Sequence, residues 1–236
     1  MDQRPTVIVT GSTKGSRIAW AMSRSLLRLH GVHACFFHPD SWDADASMDG
    51  LLITGGIDID PELYGAKRHT SIQKTDPARD AMEIQLLERA KNESLPIMGI
   101  CRGMQLINLF MNGTLYPHIG DMDLDFHHPH TPLPLQTLEI KAQTHLHKIL
   151  RRNTLKANAL HHQTIDRIGN GLTISARDRN RLIQAIESKE ERFILGLQWH
   201  PEFMPYHWSS RRIFHLFATE IKQHKHTLSQ IVPKIR

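Results

Sequence analysis

Long apolar runs are missing from this chain. No segment of its 236 residues approaches the ~18 consecutive apolar residues of a membrane-spanning helix. The opening MDQRPTVIVTGS holds no apolar stretch of the length a secretion signal requires. A cytoplasmic protein with no membrane partner is therefore expected. Cysteine is scarce as well: Cys35 and Cys101 are the only two, too few for a disulfide framework in a chain of this length. A reducing compartment fits, and there a thiol is free to act as a nucleophile. Also absent is a basic stripe with interleaved aromatics. Lys and Arg total 29 against 24 Asp and Glu, for a formal net charge of +5, but cations and anions are interspersed, so nucleic acid is not expected as a partner. The basic tail from Lys222 to Arg236 reads as a solvated helix end and a frayed terminus. With no internal repeat and no linker composition, residues 1–236 read as one domain.

What is present is an alternation of short apolar runs and amphipathic stretches. Residues 6–10 (TVIVT), 33–37 and 50–54 (GLLIT) read as strands, and 17–30 as a helix. Over 79–93, Ala81, Ile84, Leu87 and Ala90 or Lys91 fall at helical spacing, which puts Glu88 and Arg89 off the apolar face. Pro96 opens a strand PIMGI that runs into Cys101, and a helix follows to about residue 111. In the second half, 136–142, 172–176, 182–187 and 193–198 read as short strands, 209–224 as a final helix, and 118–135 as a long loop without periodicity. The expected fold is α/β: a three-layer sandwich with a mostly parallel central sheet, helices on both faces, and a small antiparallel extension.

The segment LPIMGICRGMQ, residues 95–105, carries the chemical signal. Its G-x-C-x-G pattern parallels the nucleophile elbow, in which the reactive side chain sits on a sharp strand-to-helix turn. Gly99 and Gly103 remove side chains where the new helix must pass close to the sheet. A helix N-terminus favours thiolate over thiol, and Arg102 adds positive potential nearby. The bland alternative is a buried cysteine at a strand–helix junction, which is the reading given to Cys35 in its apolar run VHACFF.

A thiol nucleophile needs a base, and the base needs a group to orient it. The segment FILGLQWHPEF, residues 193–203, offers both. Pro201 biases His200 toward an extended backbone, where residues two apart share a side, so Glu202 can accept one imidazole N–H while the other ring nitrogen faces Cys101. A lone histidine in a chain with 17 of them is ordinarily a surface or packed residue; the His-Pro-Glu spacing after an apolar strand sets this one apart. Acyl transfer also needs donors for the developing oxyanion. The N–H of Arg102, next to the nucleophile, is one candidate, and the N–H of Gly56 in LLITGGID is the second, although a Gly-Gly turn alone carries little information.

These residues match a family. The chain resembles the class I glutamine amidotransferase superfamily, and within it the γ-glutamyl-γ-aminobutyrate hydrolase branch, a cysteine peptidase family. The resemblance runs through GGIDIDPELYG (55–65), RDAMEIQLLERA (79–90), GICRGMQLINLFMNGTLY (99–116), NALHHQ (158–163) and QWHPEF (198–203), in that order. It implies Cys101, His200 and Glu202 as catalytic triad. It also implies that Gln105, a helical turn past the cysteine, grips the α-ammonium and α-carboxylate end of a γ-glutamyl substrate, with His161, His162 and Gln163 lining the same pocket. The implied reaction is hydrolysis of a γ-glutamyl amide through a cysteine thioester, with no cofactor. The chain departs from that branch at MNGTLYPHI, residues 111–119, on the leaving-group side, so the amine released is left open, as is the oligomeric state, a homodimer included. One alternative is a glutaminase subunit that hands ammonia to a separate synthetase. Another is a non-catalytic binding protein on the same fold, against which the intact cysteine, histidine and glutamate argue. The cluster of His127, His128 and His130 with Asp121, Asp123 and Asp125 matches no closed metal site, and no metal is expected.

Overall fold

In the computed structural model, which describes residues 4–190 and 192–231, strands and helices alternate through the first half of the chain. They run β1 (Thr6–Thr10), α1 (Arg17–Leu29), β2 (His33–Phe37), β3 (Gly50–Ile53), α2 (Pro77–Asn92), β4 (Ile97–Ile100) and α3 (Arg102–Phe110). The second half adds β5 (Leu115–Tyr116), β6 (Thr131–Ile140), α4 (His145–Leu150), β7 (Thr154–Ala159), β8 (Thr164–Ile165), β9 (Leu172–Asp178), β10 (Ile183–Ser188), β11 (Ile194–Leu197) and α5 (Trp208–Ile231). Residues 1–3 and 232–236, on which part of the leader and tail readings falls, lie outside the described residues, as does residue 191. No helix among the described residues is long and apolar enough to cross a membrane.

Nine strands form one sheet in the order β2-β1-β3-β4-β11-β10-β9-β6-β7. The first five are parallel, and β10, β9, β6 and β7 continue antiparallel. Strand periodicity builds the two cores. Val7, Val9, Leu52, Met98 and Leu195 bury one face against Leu26 and Leu27 of α1 and Phe214 and Phe217 of α5. Ile8, Leu51, Ile53, Ile97 and Ile194 bury the other against Leu86 and Leu87 of α2 and Met104 and Ile107 of α3. The expected three layers are thus present, with β10, β9, β6 and β7 as the antiparallel extension.

The differences from the sequence reading have local causes. Residues 131–135, read as loop, belong to β6. Their partner register jumps from Thr131↔Ala159 to Gln136↔Ala157, a bulge that accommodates Pro132 and Pro134 where no ladder N–H is needed. The short elements β5, β7, β8 and α4 carry no periodicity long enough to read. On α2 the buried stripe is Arg79, Asp80, Met82, Glu83, Leu86, Leu87 and Ala90, while Ala81 is exposed; the inward face is rotated because three of its members are charged. Cys35 is half-buried on the edge strand β2, not fully packed away.

The elbow is a close contact between backbones. β4 ends at Ile100 and α3 starts at Arg102, leaving Cys101 alone between them at φ 53°, ψ −109°. A Cβ on Gly103 would collide with the Ile53 carbonyl of β3, and one on Gly99 would lie 2.6 Å from the Gly103 carbonyl carbon. Gly103→Ala should therefore push α3 off the sheet. We expect a loss of about 1–3 kcal/mol in denaturant unfolding, with the m-value unchanged; wild-type stability in that variant would contradict the packing described.

Candidate active site

The C-terminal ends of β3, β4 and β11 lie side by side, because β4 pairs with both neighbours through Ile53↔Gly99 and Leu197↔Ile100. Ligands on open α/β sheets bind beyond such strand ends. Here the three ends deliver Gly55-Gly56, Cys101 and His200 to one place. The Cys101 N–H donates to the Leu197 carbonyl at 2.7 Å, tying elbow to neighbouring strand. A side chain at residue 55 would put its Cβ 2.5 Å from His200 Cε1 and 3.5 Å from Cys101 Cβ. Glycine at 55 thus keeps clear the space that the imidazole and the cysteine share.

His200 is held on three sides. Its Nδ1–H donates to Glu202 Oε1 at 2.7 Å, and Glu202 is fully buried. Its ring stacks on Phe203, with centroids 4.9 Å apart. Its backbone is clamped by Asn158 of β7, which accepts from the His200 N–H at 2.8 Å and donates to the His200 carbonyl at 3.0 Å. The Glu202 bond leaves Nε2 for Cys101, and the two side chains are neighbours: a Cβ at residue 55 would lie 3.4 Å from His200 Nε2 and 3.5 Å from Cys101 Cβ. Burial opposes a charge on this ring, but the Glu202 carboxylate and the Cys101 sulfur outweigh it and raise the His200 pKa well above its ordinary value. The local geometry differs from the extended segment expected. Pro201 opens a single 3-10 turn, Pro201–Phe203, which brings Glu202 back to the Nδ1 edge of the imidazole.

The amides considered for an oxyanion belong to the loop after β3 and to the first residue of α3. Arg79 of α2 donates to the Thr54 carbonyl at 2.8 Å and the Gly55 carbonyl at 3.1 Å. In a trans peptide C=O and N–H point oppositely, so anchoring the Gly55 carbonyl turns the Gly56 N–H away from Arg79. The Arg102 N–H occupies the first position of α3, where no carbonyl lies one turn behind it. The Arg102 side chain does not supply the positive potential expected near the thiol. It is buried and paired with Asp80 and Glu83. Arg79 pairs with Glu83 at 2.7 Å, and Thr10 donates to the same carboxylate at 2.5 Å. Two cations and two anions thus close a buried network linking β1, β3, α2 and the elbow.

The residues assigned to substrate through resemblance divide. Gln105 is buried on α3, and its Nε2 donates to Gln198 Oε1 at 3.2 Å and to the Gln163 carbonyl at 3.4 Å. His161 is buried, with Nδ1 at 2.9 Å from the Gln163 carbonyl. Burial, followed by the neighbouring His128, pushes its pKa down to about 3, so the ring is neutral. His162 is half-exposed and donates to Asp58 at 2.9 Å; this bond raises its pKa despite partial burial. An open cavity of about 510 Å³ lies on this side, lined in part by His118, Phe126, His128, His130, His161 and His162. It is what the 118–130 loop builds. Among the described residues no three of His, Cys, Asp and Glu converge to hold a metal ion.

Sequence reasoning missed Arg79, Asp80, Glu83, Asn158 and Gln198 as site-supporting residues. The opposite charges four apart at 79 and 83 were visible in the sequence, but that spacing by itself describes an ordinary surface pair.

Comparison with known proteins bears on this arrangement. The sequence model of Peptidase C26 matches residues 40–202, a span that contains the elbow, Cys101, His200 and Glu202. The chain belongs to the Peptidase C26 family. Among its relatives, the glutamine amidotransferase-like protein YvdE of Lactococcus lactis is 34% identical over 177 residues, covering 72% of this chain and 73% of that protein. The γ-glutamyl-γ-aminobutyrate hydrolase PuuD of Escherichia coli is 27% identical over 190 residues, covering 75% and 73%. A glutamine amidotransferase from Thermotoga maritima shares the fold at a TM-score of 0.63 and 15% identity, covering 94% of this chain and 86% of that one.

Removing one member of the buried network leaves the others uncompensated. Glu83→Ala would strand the Arg79 and Arg102 guanidiniums. We expect it to cost about 3–5 kcal/mol in chemical denaturation, far more than the exposed Glu88→Ala, within about 0.5 kcal/mol of wild type. Equal effects from the two would show that the network does not hold α2 to the sheet.

Proposed function

We propose that this Peptidase C26 protein hydrolyses γ-glutamyl amides, with Cys101 as nucleophile, His200 as acid and base, and Glu202 as orienting carboxylate. The observation that carries this reading is the placement of the His200 ring between Glu202 and Cys101 at adjacent strand ends. The Cys101 thiolate attacks the γ-carbonyl carbon. The N–H groups of Gly56 and Arg102 take up the oxyanion, each contributing ~3–4 kcal/mol where such a donor is in place. The imidazolium of His200 gives its proton to the leaving nitrogen, the C–N bond breaks, and a γ-glutamyl thioester is left. Neutral His200 then takes a proton from water, whose oxygen attacks the thioester; glutamate departs and the thiolate is restored.

The γ-glutamyl part of this proposal draws on the likeness to PuuD and on the motif resemblance. A second reading, glutamine hydrolysis with ammonia delivered to a separate synthetase, is favoured by the likeness to YvdE, which is named as glutamine amidotransferase-like. A screen of glutamine, γ-glutamyl-γ-aminobutyrate and γ-glutamyl peptides separates them. Free-standing release of larger amines, abolished in Cys101→Ala and lowered by up to about 10⁴-fold in Glu202→Gln, is the expected result. Turnover of glutamine alone, stimulated by a partner protein, would overturn it.

A further inference from the structure

The sulfur of Cys101 has a second neighbour besides His200. Gln198 directly follows β11, is fully buried, and places its Nε2 at 3.5 Å from Cys101 Sγ. Its backbone is anchored by the Gln198 N–H donating to the Gln184 carbonyl at 2.8 Å. We infer that Gln198 is a further catalytic residue, whose side-chain amide donates a hydrogen bond to the Cys101 thiolate, and that Gln105 is the positioning residue that aims it. The inference rests on Cys101 being the nucleophile proposed above.

The two ends of a glutamine amide have nearly the same shape, so hydrogen bonding must decide which one faces the sulfur. The chain of contacts leaves one solution. The Gln163 main-chain carbonyl can only accept, so the end of Gln105 at 3.4 Å from it is the NH₂ group. That same NH₂ group lies 3.2 Å from Gln198, so the facing end of Gln198 is its oxygen. The NH₂ group of Gln198 is thereby turned to Sγ. Reversing Gln105 would bring two acceptors together at the Gln163 carbonyl, and reversing Gln198 would bring two donors together at Gln105.

Such a donor discriminates between the charge states of the sulfur. A thiol accepts weakly, whereas a thiolate accepts a charge-assisted bond. Cys101 is only 6% exposed, so little water reaches a charge there, and fixed donors must replace it. The sulfur carries negative charge before attack and again when the thioester breaks, and it is uncharged in between. A donor fixed at this point therefore favours both formation of the nucleophile and its expulsion as leaving group. This account also gives Gln105 a role different from the substrate grip implied by resemblance, since its amide nitrogen is already shared between Gln198 and Gln163.

The test is the pH profile of Cys101 alkylation by iodoacetamide, read peptide by peptide so that Cys35 serves as internal control. Compared with wild type, the profile's acid limb should move to higher pH in Gln198→Leu and further in Gln198→Glu. The rate at neutral pH should fall about tenfold in the first, the scale of one charge-assisted hydrogen bond. Gln105→Leu should move the limb in the same direction by less, and Cys35 should be unaffected throughout. Profiles that superimpose on wild type in folded Gln198 variants would overturn the inference. Should those variants not fold, the wild-type chain answers by NMR with labelled glutamine. The side-chain NH₂ resonance of Gln198 should titrate with Cys101 and lose that titration in Cys101→Ala; a resonance indifferent to Cys101 overturns the inference. Alkylation needs no γ-glutamyl substrate. A wild type that alkylates as expected yet cleaves no γ-glutamyl amide would sink the substrate reading alone.

Discussion

Cys101 occupies a backbone conformation, φ 53° and ψ −109°, that an L-residue with a side chain adopts only where its surroundings hold it there. Such strain costs on the order of 1–3 kcal/mol. Three contacts enforce it. The Gly103 backbone lies against the Ile53 carbonyl, the Cys101 N–H is bound to Leu197, and α3 is buried along its first two turns. Relaxing the turn would break all of them together. The sulfur consequently stands at the line of strand ends, beside the strand that delivers His200 and the one that delivers Gly55-Gly56, rather than within the sheet.

Around that turn the charges are partitioned. Arg102 follows Cys101 in sequence, yet its guanidinium belongs to the closed network with Arg79, Asp80 and Glu83 on the α2 side of the sheet. This network is neutral in sum and shapes backbone: it fixes the carbonyls of Thr54 and Gly55 and joins the elbow to β1 through Thr10. The countercharge to a thiolate comes instead from His200, whose protonated form is supported by Glu202 and by the sulfur itself. Two buried electrostatic assemblies thus meet at residues 101 and 102, one organising the main chain and the other able to move a proton. The Gln198 amide lies at the sulfur as a neutral group, and Gln105 donates to Gln198 rather than to the sulfur itself.

The parts of this arrangement that were legible in the sequence are local ones. The glycines flanking Cys101, the apolar strand before it, and the His-Pro-Glu step after β11 all declare themselves within a few residues, and the parallel half of the sheet follows from alternating periods. What was not legible depends on partners far along the chain. Arg79 and Glu83 look like surface charges until β3 and Arg102 are placed against them. Asn158 acts on His200 across 42 residues, and Gln198 meets Cys101 across 97. Pro132 and Pro134 concealed the start of β6 because a bulge can hold residues a regular ladder rejects. The turn at Pro201–Phe203 brings Glu202 to His200 by a different backbone path from the extended one, with the same side chains meeting at the end.

The pairing of His200 with Cys101 is the claim on which the chemistry stands, and the titration of the His200 ring reports on it most directly. Followed by NMR in the full chain, the imidazole should remain protonated well above its ordinary value of 6.5, and its midpoint should fall in Cys101→Ala because one of the two neighbours that raise it is then lost. A ring that titrates at or below 6.5 in the wild type, or whose midpoint is the same in both proteins, would contradict the pairing.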